Sequence, residues 1–155
     1  MPTTLHVDPK RACAYVRATG RFGDDDYIAA FQAVMNHPAR QPEFAEVWDF
    51  LGLTRFTFKP EVLDVYRQLL HTYRGQGMLT RGRIAVLTRQ QEVRTMTILF
   101  DHLSGQYIER ELRFFARAED AEAWLGLHTG SFGALQRETE AVVIPRPVRQ
   151  PRLPR

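Results

Sequence analysis

Apolar and polar side chains alternate with the period of two that marks a strand over Leu5 to Val7 and again over Cys13 to Thr19. In the second run Cys13, Tyr15 and Arg17 point one way and Ala14, Val16 and Ala18 the other. Asp8-Pro9-Lys10-Arg11 supplies the turn between them, and Gly20 to Gly23 closes the second strand. The spacing then becomes helical, with Tyr27, Ile28, Phe31, Val34 and Met35 on one side. Asp24 is expected to cap this helix, Asp25 and Asp26 suit its positive end, and Pro38 stops it.

Phe44 to Phe50 reads as a buried strand, followed by a turn containing Gly52 and a short second extended piece. Pro60 suits the first turn of the next helix, whose apolar stripe is Val62, Tyr66, Leu69, Leu70 and Tyr73. Arg83 to Thr88 is a strand with Ile84, Val86 and Leu87 suggesting burial on both faces. A helix over Gln91 to Ser104 turns Val93, Met96, Phe100 and Leu103 inward. A strand over Glu111 to Phe115 and a short helix over Ala118 to Leu125 complete the series, with Gly126 as the stop.

Strands alternating with helices predict an α/β domain built on a mixed sheet with helices packed on it, spanning residues 1–126. Residues 127–144 form an extension of ambiguous structure, in which Ser131 could cap a helix carrying Phe132, Leu135 and Val142. Residues 145–155 hold four prolines and four arginines and are expected to be a disordered basic tail. Those arginines also explain the charge, since the net +3 becomes −1 for residues 1–144 without them. A specific nucleic-acid partner is therefore not expected.

At 155 residues one sizeable core is affordable. Charged residues interrupt every apolar run well short of the roughly 20 residues of a membrane span. The start of the chain lacks the apolar segment of a secretory signal, which makes the cytoplasm the expected compartment. The single Cys13 falls in a strand and reads as a small buried hydrophobe.

Catalytic and metal-binding patterns are not found. The histidines at 6, 37, 71, 102 and 128 do not make metal-ligand spacing, and no cofactor is assigned. Asp101, His102 and Ser104 resemble a triad on paper, but on one helix residues 102 and 104 point about 200° apart. Gly75, Gly77 and Gly82 follow a helix and precede a strand, the reverse of a dinucleotide fingerprint, and read as a helix stop and a flexible connection. Catalysis would need Asp49, His71 or His102 to be assembled from distant segments.

The segment Asp49-Phe-Leu-Gly-Leu-Thr, preceded by Asp24-Asp25-Asp26-Tyr27, carries a likeness to a known family. So do the later Arg83-Ile-Ala-Val-Leu, Leu112-Arg-Phe-Phe, Glu119-Asp-Ala and Glu122-Ala-Trp-Leu-Gly. In this order, over residues 5–126, they resemble the SpoIIAA-like family of the STAS and CRAL-TRIO superfamily. The resemblance implies a mixed sheet with packed helices and a role in regulation or apolar-ligand binding rather than catalysis. One departure stands out. Where anti-anti-sigma STAS proteins carry Asp-Ser-Ser-Gly with a phosphorylated second serine, this chain has Thr57-Phe58-Lys59-Pro60, so a phospho-switch is not expected.

Two functional expectations follow. The first is a non-catalytic regulatory or protein-interaction module, probed by its oligomeric state because self-association is expected. The second is a protein binding a small apolar or lipid-like ligand beyond the carboxyl ends of the strands, at Asp49, Leu51, Gly52, Thr54, Thr88 and Arg89. Tyr66, Leu70 and Tyr73 would wall that pocket.

Overall fold

Strands β1 (Thr3–Asp8) and β2 (Cys13–Gly23) form the expected antiparallel hairpin, with Leu5 opposite Val16 and Val7 opposite Ala14. The Asp8 carboxylate holds the turn by accepting from the amides of Lys10 and Arg11 at 3.0 and 3.4 Å. The computed structural model describes residues 3–146; the expected disorder of the basic tail falls, beyond Arg146, outside them.

Beyond Thr19 the structure departs from the simple pattern. β2 runs on to Gly23, and β3 (Ala45–Thr57) is one parallel partner alongside it rather than a strand, a turn and a second piece. Register shifts between Arg17 and Thr19 and between Gly20 and Arg21 keep the two long strands paired. Gly20 takes φ 72° at the second shift, a left-handed backbone that glycine adopts freely. Gly52 makes no turn; it lies opposite Thr19, whose methyl would stand 2.8 Å from a Cβ placed there.

Helix α1 (Asp24–Asn36) begins one residue earlier than expected, because Gly23 and not Asp24 is the capping residue. The acids serve the junction differently. Asp26 accepts from the Gly23 amide at 2.9 Å, and Asp24 accepts from the Lys59 amide at 2.9 and 3.1 Å. Next come α2 (Val62–Gly75), β4 (Ile84–Leu87), α3 (Gln91–Ser104), β5 (Leu112–Phe115) and α4 (Ala118–Trp124), each close to its expected span. The extension resolves into α5 (Ser131–Glu138) and β6 (Val142–Ile144). Val142 is thus on a strand and not on the helix, since Thr139 turns extended and ends α5.

The sheet has the order β5-β4-β3-β2-β1-β6, with β2 to β5 parallel and both β1 and β6 antiparallel to their neighbours. Successive right-handed crossovers that advance in one direction leave their helices on one face. Accordingly α1, α2 and α3 share a face, over a large core of Val16, Phe31, Trp48, Phe50, Tyr66, Val86 and Phe100. α4 and α5 cover the other face, over Cys13, Tyr15, Val47, Ala85, Leu87, Phe132 and Leu135. The alternation read along β2 is the division between these two cores.

Candidate functional site

The larger core is unusually aromatic where α1, α2 and α3 meet the sheet. The Tyr27 ring stacks on Phe100 at 4.3 Å and lies 5.4 Å from Trp48, while Tyr66 meets Phe100 edge-on at 4.8 Å. Rings packed by edge and face leave irregular gaps, and here a cavity of about 50 Å³ remains between helices and sheet. A single water needs about 10–15 Å³ on this measure, so the space suits a few small-molecule atoms.

Polar groups converge on it from separate elements. Glu46 points inward from β3 in the same phase as Trp48 and Phe50, and it is buried. Its two oxygens accept from Trp48 Nε1 and Thr80 Oγ1, each at 2.7 Å. Arg40, also buried, donates to Thr80 Oγ1 at 2.7 Å, and the Glu46 charge offsets part of the lowering that burial imposes on its guanidinium. The network is satisfied, and removing the Glu46 carboxylate would strand two buried donors at about 1–3 kcal/mol each.

A second group lies across the cavity. Ser104 Oγ donates to the Phe100 carbonyl at 2.8 Å, so with its one proton committed it accepts from the Tyr66 hydroxyl at 2.5 Å. The Tyr27 hydroxyl stands beside that of Tyr66, and burial pushes both phenols up, keeping them protonated. Arg110, from the loop before β5, completes the wall. Its side chain is 8% exposed, and its Nε has no hydrogen-bond acceptor among the described residues. Asp101 Oδ1 is 3.7 Å from Nη2, beyond hydrogen-bonding distance. Asp101 lines the cavity from α3, and its side chain is 41% exposed.

The residues expected to line a ligand site divide between the two faces of the sheet. Tyr66 and Leu70 wall this cavity. Tyr73 is buried beside them, accepting from Asn36 Nδ2 at 3.0 Å, but does not reach the space. Asp49 and Leu51 point to the opposite face, because β3 side chains alternate. Asp49 accepts there from the Tyr15 hydroxyl and from the Leu51 amide, the latter at 3.0 Å. Tyr15 in turn packs its ring 5.2 Å from Phe132 of α5, and its phenol is pushed up by burial and by Asp49. Gly52, Thr54 and Arg89 are exposed, and Thr88 is buried with its hydroxyl accepting from the Gln90 amide at 3.0 Å. Asp49 also lies across the sheet from the helices that carry His71 and His102, so those three do not meet.

Sequence reading missed Glu46, Thr80, Asp101 and Arg110 as a group. Glu46 carried a signal, a charge at an inward position of a buried strand. Arg110, in a loop without periodicity, carried none. No group of three or more metal-ligating side chains forms among the described residues.

The SpoIIAA-like family model matches residues 13–126, most of the chain and all of the cavity lining. The chain belongs to the SpoIIAA-like family. No curated protein matches it. Among solved structures, it is similar to an uncharacterised protein of the DUF3478 family with a SpoIIAA-like fold from Shewanella loihica PV-4. The two are 18% identical with a TM-score of 0.45, over 72% of this chain and 82% of that one. In this SpoIIAA-like, STAS-type fold, β1, α5 and β6 lie outside the matched span. Within the matched span, the Lys59 amide is tied to the Asp24 carboxylate.

Proposed function

We propose that this SpoIIAA-like chain is a non-catalytic regulatory or protein-interaction module that self-associates. The observation that supports it best is on α3, where the neighbouring Ile98 and Leu99 are 55% and 43% exposed. Two large aliphatic side chains gain nothing from water, whereas charge-depleted apolar patches form the centres of protein interfaces. The nucleophile candidates also favour a binding role. Cys13 is buried, with its thiol pushed up to about 12, and the Ser104 hydroxyl is committed to a backbone carbonyl. Light scattering at micromolar concentration is expected to give twice the 17.9 kDa of the chain, and I98E/L99E to return it to a monomer. A wild-type monomer at that concentration would sink the self-association.

A second reading, binding of a small ligand, is favoured by the aromatic cavity. Its volume is far below the roughly 300–1,000 Å³ of sites for drug-sized molecules, so the ligand is small rather than lipid-sized. The two readings share an element. α3 supplies Thr97, Phe100 and Asp101 to the cavity and Ile98 and Leu99 to the surface, so one helix would carry occupancy outward.

A further inference from the structure

We propose that the cavity binds a small carboxylate, of the size of acetate or propionate, anchored by the Arg110 guanidinium; this rests on the small-ligand reading. The charges around the cavity single out Arg110. Glu46 has both oxygens occupied and Arg40 opposite it through Thr80, so that pair is closed. Arg110 is equally withdrawn from solvent, yet its Nε meets no acceptor and its only ion-pair partner among the described residues is the half-exposed Asp101. A buried guanidinium held so loosely is a cation in want of an acceptor.

A carboxylate suits it for three reasons. Its planar pair of oxygens matches the guanidinium fork, in which Nε and a terminal nitrogen donate in parallel. The remaining wall (Tyr27, Phe31, Trp48 and Phe100) is aromatic and takes up a short apolar stem. The volume of about 50 Å³ then limits that stem to one or two carbons. Asp101 holds Arg110 at 3.7 Å, far enough for an entering anion to take its place and release it to solvent. With four non-hydrogen atoms, acetate can bind no tighter than on the order of tens of micromolar.

The test uses the full-length protein with sodium acetate, propionate, hexanoate and neutral acetamide, at ionic strength matched with sodium chloride. Thermal unfolding and proton–nitrogen NMR spectra, including the Arg110 Nε–H signal, are followed through each titration. Acetate and propionate are expected to raise the unfolding temperature in a saturable manner and to shift the Arg110 Nε–H signal together with α3 amides. Hexanoate is expected to bind at least tenfold more weakly, and R110Q to lose acetate binding at least tenfold. Equal binding of acetamide and acetate, or full acetate binding by folded R110Q, would overturn the Arg110 anchor while leaving the small-ligand reading standing. No saturable response to any probe overturns both. If R110Q does not fold, the wild-type Arg110 Nε–H signal decides, and its indifference to acetate overturns the proposal.

Discussion

His37 and His6 are two groups whose protonation is coupled to folding. His37 Nδ1 accepts from the Ala39 amide at 3.1 Å, a bond that exists only while that nitrogen is unprotonated. His6 Nδ1 lies 3.0 Å from Thr139 Oγ1, whose own proton goes to the Leu135 carbonyl. Burial lowers both imidazoles from their ordinary 6.5. The unfolded chain therefore takes up protons first, and the stability these residues contribute above pH 6.5 is lost as pH falls through their lower folded values. Asp8 acts in a different window. Burial would raise its carboxyl, but hydrogen bonds from the Arg11 side chain and from the Arg11 and Lys10 amides outweigh that and lower it from 3.8. Its contribution stays intact until the pH drops below that value. The unfolding temperature is expected to decline between pH 7 and pH 5 with the histidines as its source. H37N, which retains an acceptor for the Ala39 amide, should flatten part of that decline. Parallel wild-type and H37N profiles would show that His37 does not titrate with folding.

At the scale of elements, the link between α2 and β4 is tighter than its glycines suggested. Gly75 and Gly77 have open space around them, but Gly82 is pressed against the loop before β3. A Cβ at Gly82 would stand 2.3 Å from the Phe44 carbonyl oxygen and 2.7 Å from that of Glu43. The amides of Arg81 and Gly82 both donate to the Pro42 carbonyl, which fixes the approach. Backbone cannot yield as a side-chain tip can. G82A is expected to cost about 3 kcal/mol, whereas G75A, at the end of α2, should be neutral or add about 0.5–1 kcal/mol. Urea unfolding of the two variants side by side reads this contrast, and equal midpoints would refute it. The glycines of this segment were visible as a break in periodicity; which one was sterically required depended on a loop forty residues away.

For the whole molecule, the final turns of the described chain complete both faces of the sheet. The parallel strands β2 to β5 advance in one direction, so their crossover helices leave the second face uncovered until α4 and α5 reach it. β6 then lies along β1, pairing Thr3 with Ile144 and Leu5 with Val142, and Ile144 enters the larger core. Ending the chain after Thr139 removes that burial and opens the β1 edge to water. A fall of several degrees in the unfolding temperature and a gain in light scattering on heating are expected. An unchanged midpoint would mean that β6 adds nothing to the fold.

Local pattern was enough to place most strands and helices, because periods of two and 3.6 record which side of each element meets apolar neighbours. Cys13 and Tyr15 already faced away from Ala14 and Val16 in the sequence pattern, though only the structure turns those faces into two cores, and the ordered motifs from Asp24 to Gly126 already resembled the family. Periodicity does not carry pairing. That β2 and β3 continue past Thr19 and Gly52 is decided by hydrogen bonds between strands thirty residues apart, and the fate of Val142 by the β1 edge. The candidate site depended on tertiary structure most of all. Asp49 and Tyr66 looked like neighbours at one rim, yet the sheet lies between them. Glu46, Tyr66, Asp101 and Arg110 come from a strand, two helices and a loop, and only their packing turns four ordinary side chains into the lining of one cavity.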